Sequence, residues 1–463
     1  MAAEMSKELE LDVETWARQQ FGTCQLGDRR RTTRAVKLAQ QVAAQPDAST
    51  PNQTGCWSDC KAAYRLFDEE DVTFAALAGP HWELTRCRTE GVYLLLGDTT
   101  HIDIGWDRQV QGLAPVGDGH SQGFLLHSSL MVNAHTEEIV GLAGQDLYYR
   151  QAAPRGETPR QRLQRDRESQ VWGRVIELVG PPRGQARFIH VFDAGADNLE
   201  VFCHLALQQC GWVVRLAAKH RILKTPDGSR DSVAAQLSKQ PALGSYQLHV
   251  RARHGRAARW ATLEVRSVQA AMPVPREASP FARTSGLSEI PMGIVEVLEP
   301  NPPPGVEPLH WVLSTSEACH TFRQAWQVIE YYEKRPLVEE FHKALKTGCR
   351  LEERQYRLAR RWEALTGLLS VVAVRLLQLK SAARTNADLP ANEVVPKRWI
   401  EMLQRMRRGA GEIQTAGQFF RRLAGLGGFL GRKHDGEPGW ITIWRGFEKL
   451  HLCLQATARS RCG

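Results

Sequence analysis

The sequence is poor in the features that mark a secreted, membrane-spanning or zinc-stapled chain. Its first residues, 1–16, are acidic and polar and contain no apolar core of the kind a secretory signal needs. The longest largely apolar run, 365–374, is too short to cross a bilayer and meets Arg375, so it is expected as a buried helix. Cysteine is sparse, 10 among 463 residues, and without a signal segment the thiols are expected to stay reduced. Cys56 and Cys60 have no second ligand pair at metal spacing, which argues against structural zinc. The expectation is a soluble intracellular protein.

What is present is charge and a large core. Lys and Arg number 60 against 51 Asp and Glu, a formal net charge of +9, which favours a polyanionic partner without requiring one. With 42% hydrophobic and 24% charged residues the chain buries a substantial core, and its length suggests roughly two to four domains. Residues 12–90 read as mainly helical. Leu26-Gly27-Asp28 closes one segment, and Asp28 caps a helix bearing Arg29, Arg30, Arg31, Arg34 and Lys37 beside apolar Val36, Ala39 and Val42. A basic face backed by an apolar one suits a docked helix with its cations toward phosphates, and Arg65 extends that surface. From about 90 to 220 strands are expected at 92–96, 124–133, 139–149, 188–192 and 212–216. Helices are expected at 169–179 and 199–209, and an Arg- and Gln-rich loop at 151–164. This order predicts a mixed α/β sheet with helices on its faces. Residues from about 222 to 310 alternate like strands between Pro and Gly. They are expected as an inserted β subdomain with a basic rim of Arg251, Arg253, His254, Arg256 and Arg259.

Three acids stand out. Asp98 and Asp193 each end an expected buried strand, where open α/β sheets place ligands, although Asp there also commonly makes a turn. The third, Glu339, lies among Arg335, His342, Lys343 and Lys346. At about 100° per residue, Glu339, His342, Lys343 and Lys346 share one helix face, with Leu337, Phe341 and Leu345 opposite. Such a face is ordinarily solvated and laced with ion pairs. Pro336 cannot sit mid-helix, so a break is expected there, with Glu339 in the first turns of a new helix. A carboxylate among cations makes sense for a metal whose other partner is polyanionic: carboxylate oxygens suit Mg²⁺, and two ions ~3.5–4 Å apart serve an in-line displacement at phosphorus. Toward the C-terminus, Phe419, Phe420, Trp440, Trp444 and Phe447 are expected either as a subunit contact or as internal core.

The spacing Tyr332, Arg335, Glu339, Lys346 resembles the Tyr-Arg-Glu-Lys signature of the DDE transposases of bacterial insertion sequences, in the insertion-sequence-four family. Phe21-Gly22 with Leu26-Gly27-Asp28-Arg29-Arg30, Ala63-Tyr64-Arg65, Asp98-Thr99-Thr100, Val213-Val214-Arg215, Trp311, and Gly427-Gly428-Phe429 with Trp440 resemble that family in the same order, over nearly the whole chain. The resemblance implies an RNase H-like core in which Asp98, Asp193 and Glu339 form the catalytic, metal-binding triad for two Mg²⁺ ions, with Mn²⁺ as a substitute. It places Tyr332, Arg335 and Lys346 on phosphates near the cleaved end and Trp311 beside a base flipped from a hairpin. Further DNA contacts fall to His342, Lys343, Arg215, Arg29, Arg30, Arg34 and Arg65. The implied reaction is cut-and-paste transposition through a hairpin, with joining of the 3′-OH to target. The implied partners are double-stranded DNA, as transposon-end inverted repeats and target, and a second copy in a synaptic homodimer. The implied setting is the bacterial cytoplasm, at the nucleoid and away from membranes. One departure is Pro336, where a close family relative carries an aromatic, so a base-stacking contact is missing. The expected domains are an N-terminal helical DNA-binding domain (1–75), an RNase H-like catalytic core (76–380) with the β insert, and a C-terminal helical dimerisation module (381–463). The alternatives are a catalytically silent DNA-binding relative, domesticated or inhibitory, and a general nuclease of the same fold.

Overall fold

Val92-Tyr93-Leu94-Leu95-Leu96 is apolar at every position, and a strand of that kind is covered on both faces. In the computed structural model Leu94 and Leu96 enter one core cluster, while Tyr93 and Leu95 enter another on the opposite face of the sheet. The structure describes residues 11–165, 167–218, 220–250, 257–385, 387–406, 411–432 and 435–459. Helices α1 (Val13–Phe21), α2 (Arg29–Ala44), α3 (Thr50–Thr54), α4 (Trp57–Phe67) and α5 (Phe74–Arg86) lead into the sheet. Then come β1 (Val92–Asp103), β2 (Ala114–Val116), β3 (Ser121–Asn133), β4 (Ile139–Tyr148), α6 (Val171–Val179), β5 (Arg187–Phe192), α7 (Leu199–Leu207) and β6 (Gly211–Arg215). Strands β7 (Ile222–Lys224), β8 (Arg230–Ser232), β9 (Gly244–Val250), β10 (Arg259–Pro273), β11 (Glu289–Leu298) and β12 (His310–Thr315) follow. Helices α8 (Phe322–Glu333), α9 (Pro336–Lys343), α10 (Ala359–Thr385), α11 (Lys397–Met406), α12 (Ala416–Leu426) and α13 (Trp440–Arg459) close the chain. The fold is mixed α/β, with helices at both ends.

One sheet runs β2-β3-β1-β5-β6-β12-β11-β10-β7-β8, with β4 on β3 and β9 on β10. β1, β5 and β6 are parallel, while β3 and β12 flank them antiparallel. The strand expected to end near Gly97 runs on to Asp103, because β3 keeps pairing with it from Asp98↔Ser128 to Asp103↔Gly123. The segment expected as a β insert does not build a sheet of its own. β11 pairs with β12 and β12 with β6, so its strands extend the main sheet. Strand β11 lies in the segment expected to alternate like strands, and it carries Pro291 and Gly293 within it. Gly293 is required because a Cβ there would press on the Cys319 thiol. Of the expected basic rim, Arg251, Arg253, His254 and Arg256 lie outside the described residues. Arg259 is bound to buried Glu299, with Nη2 2.8 Å from Oε2, and is not a rim cation.

Helix α10 is long and apolar enough to cross a membrane by composition, but 94% of its most apolar window is buried inside the chain. It is the central core helix. Phe419, Phe420, Trp444 and Phe447 are at most 1% exposed, so these aromatics form internal core and not an exposed contact surface. Arg375 of α10 joins the ends of the chain. Its guanidinium is 5.0 Å from the Trp16 ring centroid, 6.0 Å from Trp444 and 5.7 Å from Phe447, and Nη2 donates to the Leu11 carbonyl at 2.7 Å. Removing it leaves a cavity among three aromatic rings, so Arg375→Ala is expected to lower unfolding free energy by about 3 kcal/mol, read by denaturant titration.

Candidate functional site

The parallel register sets the first two acids. Pairing of β1 with β5 ends at Leu96↔Val191, and Asp98 and Asp193 each lie two residues beyond it. Neighbouring strands are about 4.8 Å apart, and residues two apart share a face. Both acids therefore stand on the face of Leu96 and Val191, against which α9 packs. Gly97, between them in level, has no Cβ because one would run into the Phe192 ring, which packs on Trp172 with centroids 4.8 Å apart beneath the site. Asp193 also makes a turn: its Oδ1 accepts from Gly195 N at 2.8 Å and caps a short 3₁₀ turn. The strand-end and turn readings thus hold for one residue.

The third acid arrives as the proline dictates. Helix α8 ends at Glu333, Pro336 is the first residue of α9, and Glu339 lies in that helix's first turn. Arg335, at the joint, pairs with Glu339 and brings Nη1 3.8 Å from Asp98 Oδ1. His342 Nδ1 is 3.6 Å from Asp98 Oδ2. Burial opposes the Arg335 charge, but Glu339, Asp98, Tyr332 and Asp193 outweigh it and hold its pKa above the ordinary value. Burial likewise works to raise the Asp98 carboxyl, and His342 and Arg335 outweigh it, leaving its pKa low. Acids from β1 and α9 thus contact one guanidinium, and Asp193, in the turn after β5, acts on it through its charge. The donor chemistry fits a hard divalent ion. The spacing does not close on one: among the described residues no three His, Cys, Asp or Glu side chains are grouped tightly enough to hold a metal.

The expected single face of α9 divides. His342 turns toward Asp98 and Glu339 toward Arg335. Lys343 lies exposed with Nζ 5.7 Å from the Trp440 ring centroid, and Lys380 approaches the same ring at 4.7 Å. Lys346 sits in a π-helical turn after α9, where its Nζ donates to His101 O at 2.9 Å and meets Glu352 Oε1 at 2.9 Å. Tyr332 is half-buried at the end of α8, and Arg215 is exposed at the end of β6. Trp311 is half-buried on β12, its indole N–H buried without a hydrogen-bond partner among the described residues. Two neighbours were missed. Glu352 holds Lys346 and accepts from Asp103 N at 2.9 Å. His127, beneath the site, has Nδ1 2.8 Å from Thr99 Oγ1 and its ring edge on Trp172. The Thr99↔His127 pairing that makes this contact is invisible without the β1–β3 register.

The basic face of α2 also divides. Arg34 and Lys37 both reach Asp59 of α4 at 2.8 Å, and Arg31 pairs with Glu69 and Asp71. Arg30 is exposed near Asp28, while Arg29 and Arg65 are exposed and carry no ion pair among the described residues. Residues 13–72 match the family model for transposase DNA-binding. The matched segment covers α1 to α4, and it supports DNA as the partner and a transposase as the class of protein.

Two predictions follow from these environments. Arg29→Ala and Arg65→Ala are each expected to weaken duplex binding at all sequences and to reduce its salt slope by about 1, by fluorescence anisotropy across a salt series. Arg34→Ala is expected to change that slope less, because Asp59 already neutralises it. Separately, burial holds His127 and His190 down to about 3, against 6.5 when unfolded. Their stabilising contribution is complete above pH 6.5 and drains as pH falls toward 3, since the unfolded chain takes up the protons first. His190→Met is expected to flatten the loss of urea stability between neutral pH and pH 5.

Proposed function

We propose that the chain is a cut-and-paste DNA transposase of the DDE type, in the insertion-sequence-four family and similar to the transposase of the composite transposon number five. The observation that carries this reading is the gathering of Asp98, Asp193 and Glu339 around Arg335, in a chain whose residues 13–72 match a transposase DNA-binding model. An RNase H-like core is supported by the order β4-β3-β1-β5-β6, antiparallel at β3 and parallel from β1 to β6, with helices on both faces. In this reading residues 1–75 bind DNA, 76–380 form the core and 381–463 the helical C-terminal module.

Asp98, Asp193 and Glu339 would hold two Mg²⁺ ions, or Mn²⁺ in their place. When bound, the ions supply activation of water or a 3′-OH and neutralise charge on the phosphoryl oxygens. The rest is done by this chain's side chains. Arg335 offers a planar fork of donors that matches a phosphate, and Lys346 and Tyr332 flank the same strand end. Further DNA contacts in this reading fall to Lys343, His342 and Arg215. Trp311 presents a half-buried ring to an extruded base. Positioning and charge neutralisation account for most of the rate. The reaction runs by nicking, hairpin formation, reopening and joining to target, in a homodimer on paired inverted repeats, in the bacterial cytoplasm.

The test uses DNA bounded by the short inverted repeats that flank the gene. Asp98→Asn, Asp193→Asn and Glu339→Gln are each expected to cut Mg²⁺-dependent cleavage by about 1,000-fold while duplex binding persists. Wild-type cleavage in any of them would remove that residue from the triad. Binding without cleavage by the unaltered protein would favour the catalytically silent relative, and cleavage indifferent to end sequence a general nuclease.

A further inference from the structure

The acid cluster already contains a cation of the chain's own. Arg335 pairs with Glu339, lies 3.8 Å from Asp98 and feels Asp193, and its side chain is only 15% exposed. Lys346 is held in the same way, by Glu352 and the His101 carbonyl. Both residues assigned above to DNA phosphates are thus engaged by internal oxygens. A monovalent guanidinium and a divalent ion compete for the same carboxylates, and two cations packed on one carboxylate pair repel each other.

We propose that Arg335 is the resident counter-ion of Asp98 and Glu339 in the DNA-free protein, and that a divalent cation enters this centre only when a DNA phosphate draws the guanidinium away. The inference rests on the metal-dependent reading of the triad. Its consequence is that metal and DNA bind cooperatively. DNA supplies the anion that releases Arg335, and the emptied carboxylates then accept the metal. By linkage the metal tightens DNA binding by the same factor. The DNA-free protein is thereby kept from assembling a hydrolytic centre.

Mn²⁺ binding to the full-length, DNA-free protein tests this by calorimetry or by the electron paramagnetic resonance signal of the free ion. Arg335→Gln is expected to bind Mn²⁺ about tenfold or more tighter than the wild type. Arg335→Lys, which keeps a cation, is expected to stay nearer the wild type, and adding Glu339→Gln to Arg335→Gln should erase the gain. Mn²⁺ should also raise the melting temperature of Arg335→Gln more than that of the wild type. Should Arg335→Gln fail to fold, the wild type alone decides: a mixed-sequence duplex at low salt should raise its Mn²⁺ affinity by a similar factor. Equal affinity in wild type and Arg335→Gln, or no gain with duplex, overturns the gate and leaves the transposase reading standing. Absence of Mn²⁺ binding in every form, with duplex present, overturns both.

Discussion

Carboxylates gathered in a half-buried place stay ionised together only if something positive stands among them. Asp98 is 20% exposed, Asp193 is one strand away, and Glu339 comes in from a helix above. Arg335 meets this constraint, and the local backbone is arranged to deliver it. Pro336 ends one helix and begins the next, so the residue just before it falls at the joint between α8 and α9. From there a long side chain reaches both Glu339, one turn ahead, and Asp98 on the sheet. The same residue kept inside an unbroken helix would project along the helix face and meet only Glu339.

The sheet supplies the other half of the site. The β1–β5 register brings two aspartates to one level, and a one-residue slip would turn one of them to the opposite face. That register is held by apolar side chains on both faces, with Gly97 left bare so that Phe192 and Trp172 can close underneath. Further away, Arg375 ties α10 to Trp16 at one end of the chain and to Trp444 and Phe447 at the other. The N-terminal helices and the C-terminal module are therefore packed on the helix that supports α9, and Trp440 contacts Lys343 of α9 directly.

Much of this was legible in the residues. The apolar runs at β1, β3, β4, β5 and β6 marked their strands, and the proline marked the break before Glu339. Apolar positions in α2 pointed inward as spaced, with Ala39 and Val42 buried. What escaped was everything that depends on which distant segments pair. β1 outlasts its apolar run because β3 supports it, and Asp98 is thereby mid-strand. The place of strand β11 in the main sheet is set by β12. The face of α9 was drawn from helical periodicity alone. That periodicity says nothing of Trp440, Glu352 or the π-helical turn, which send Lys343 and Lys346 in separate directions.

The same reasoning bears on the net charge. A surplus of +9 is a sum over the chain and does not locate a binding surface. Of the cations that α2 offers in sequence, Arg31, Arg34 and Lys37 are each met by an acid from α4 or the turn after it, Arg30 is exposed beside Asp28, and Arg29 is exposed with no ion pair among the described residues. The paired cations hold α2 against α4, so they orient the surface without forming it. At the acid cluster the division runs the other way. Arg335 is paired as well, yet its partners, Glu339 and Asp98, are carboxylates that the proposed chemistry needs for itself. A cation paired with a structural acid is committed to the fold, whereas one paired with a working acid is held ready for exchange. Which of the two a given arginine is depends on what its partner must do next, and that is a property of the site, not of the charge count.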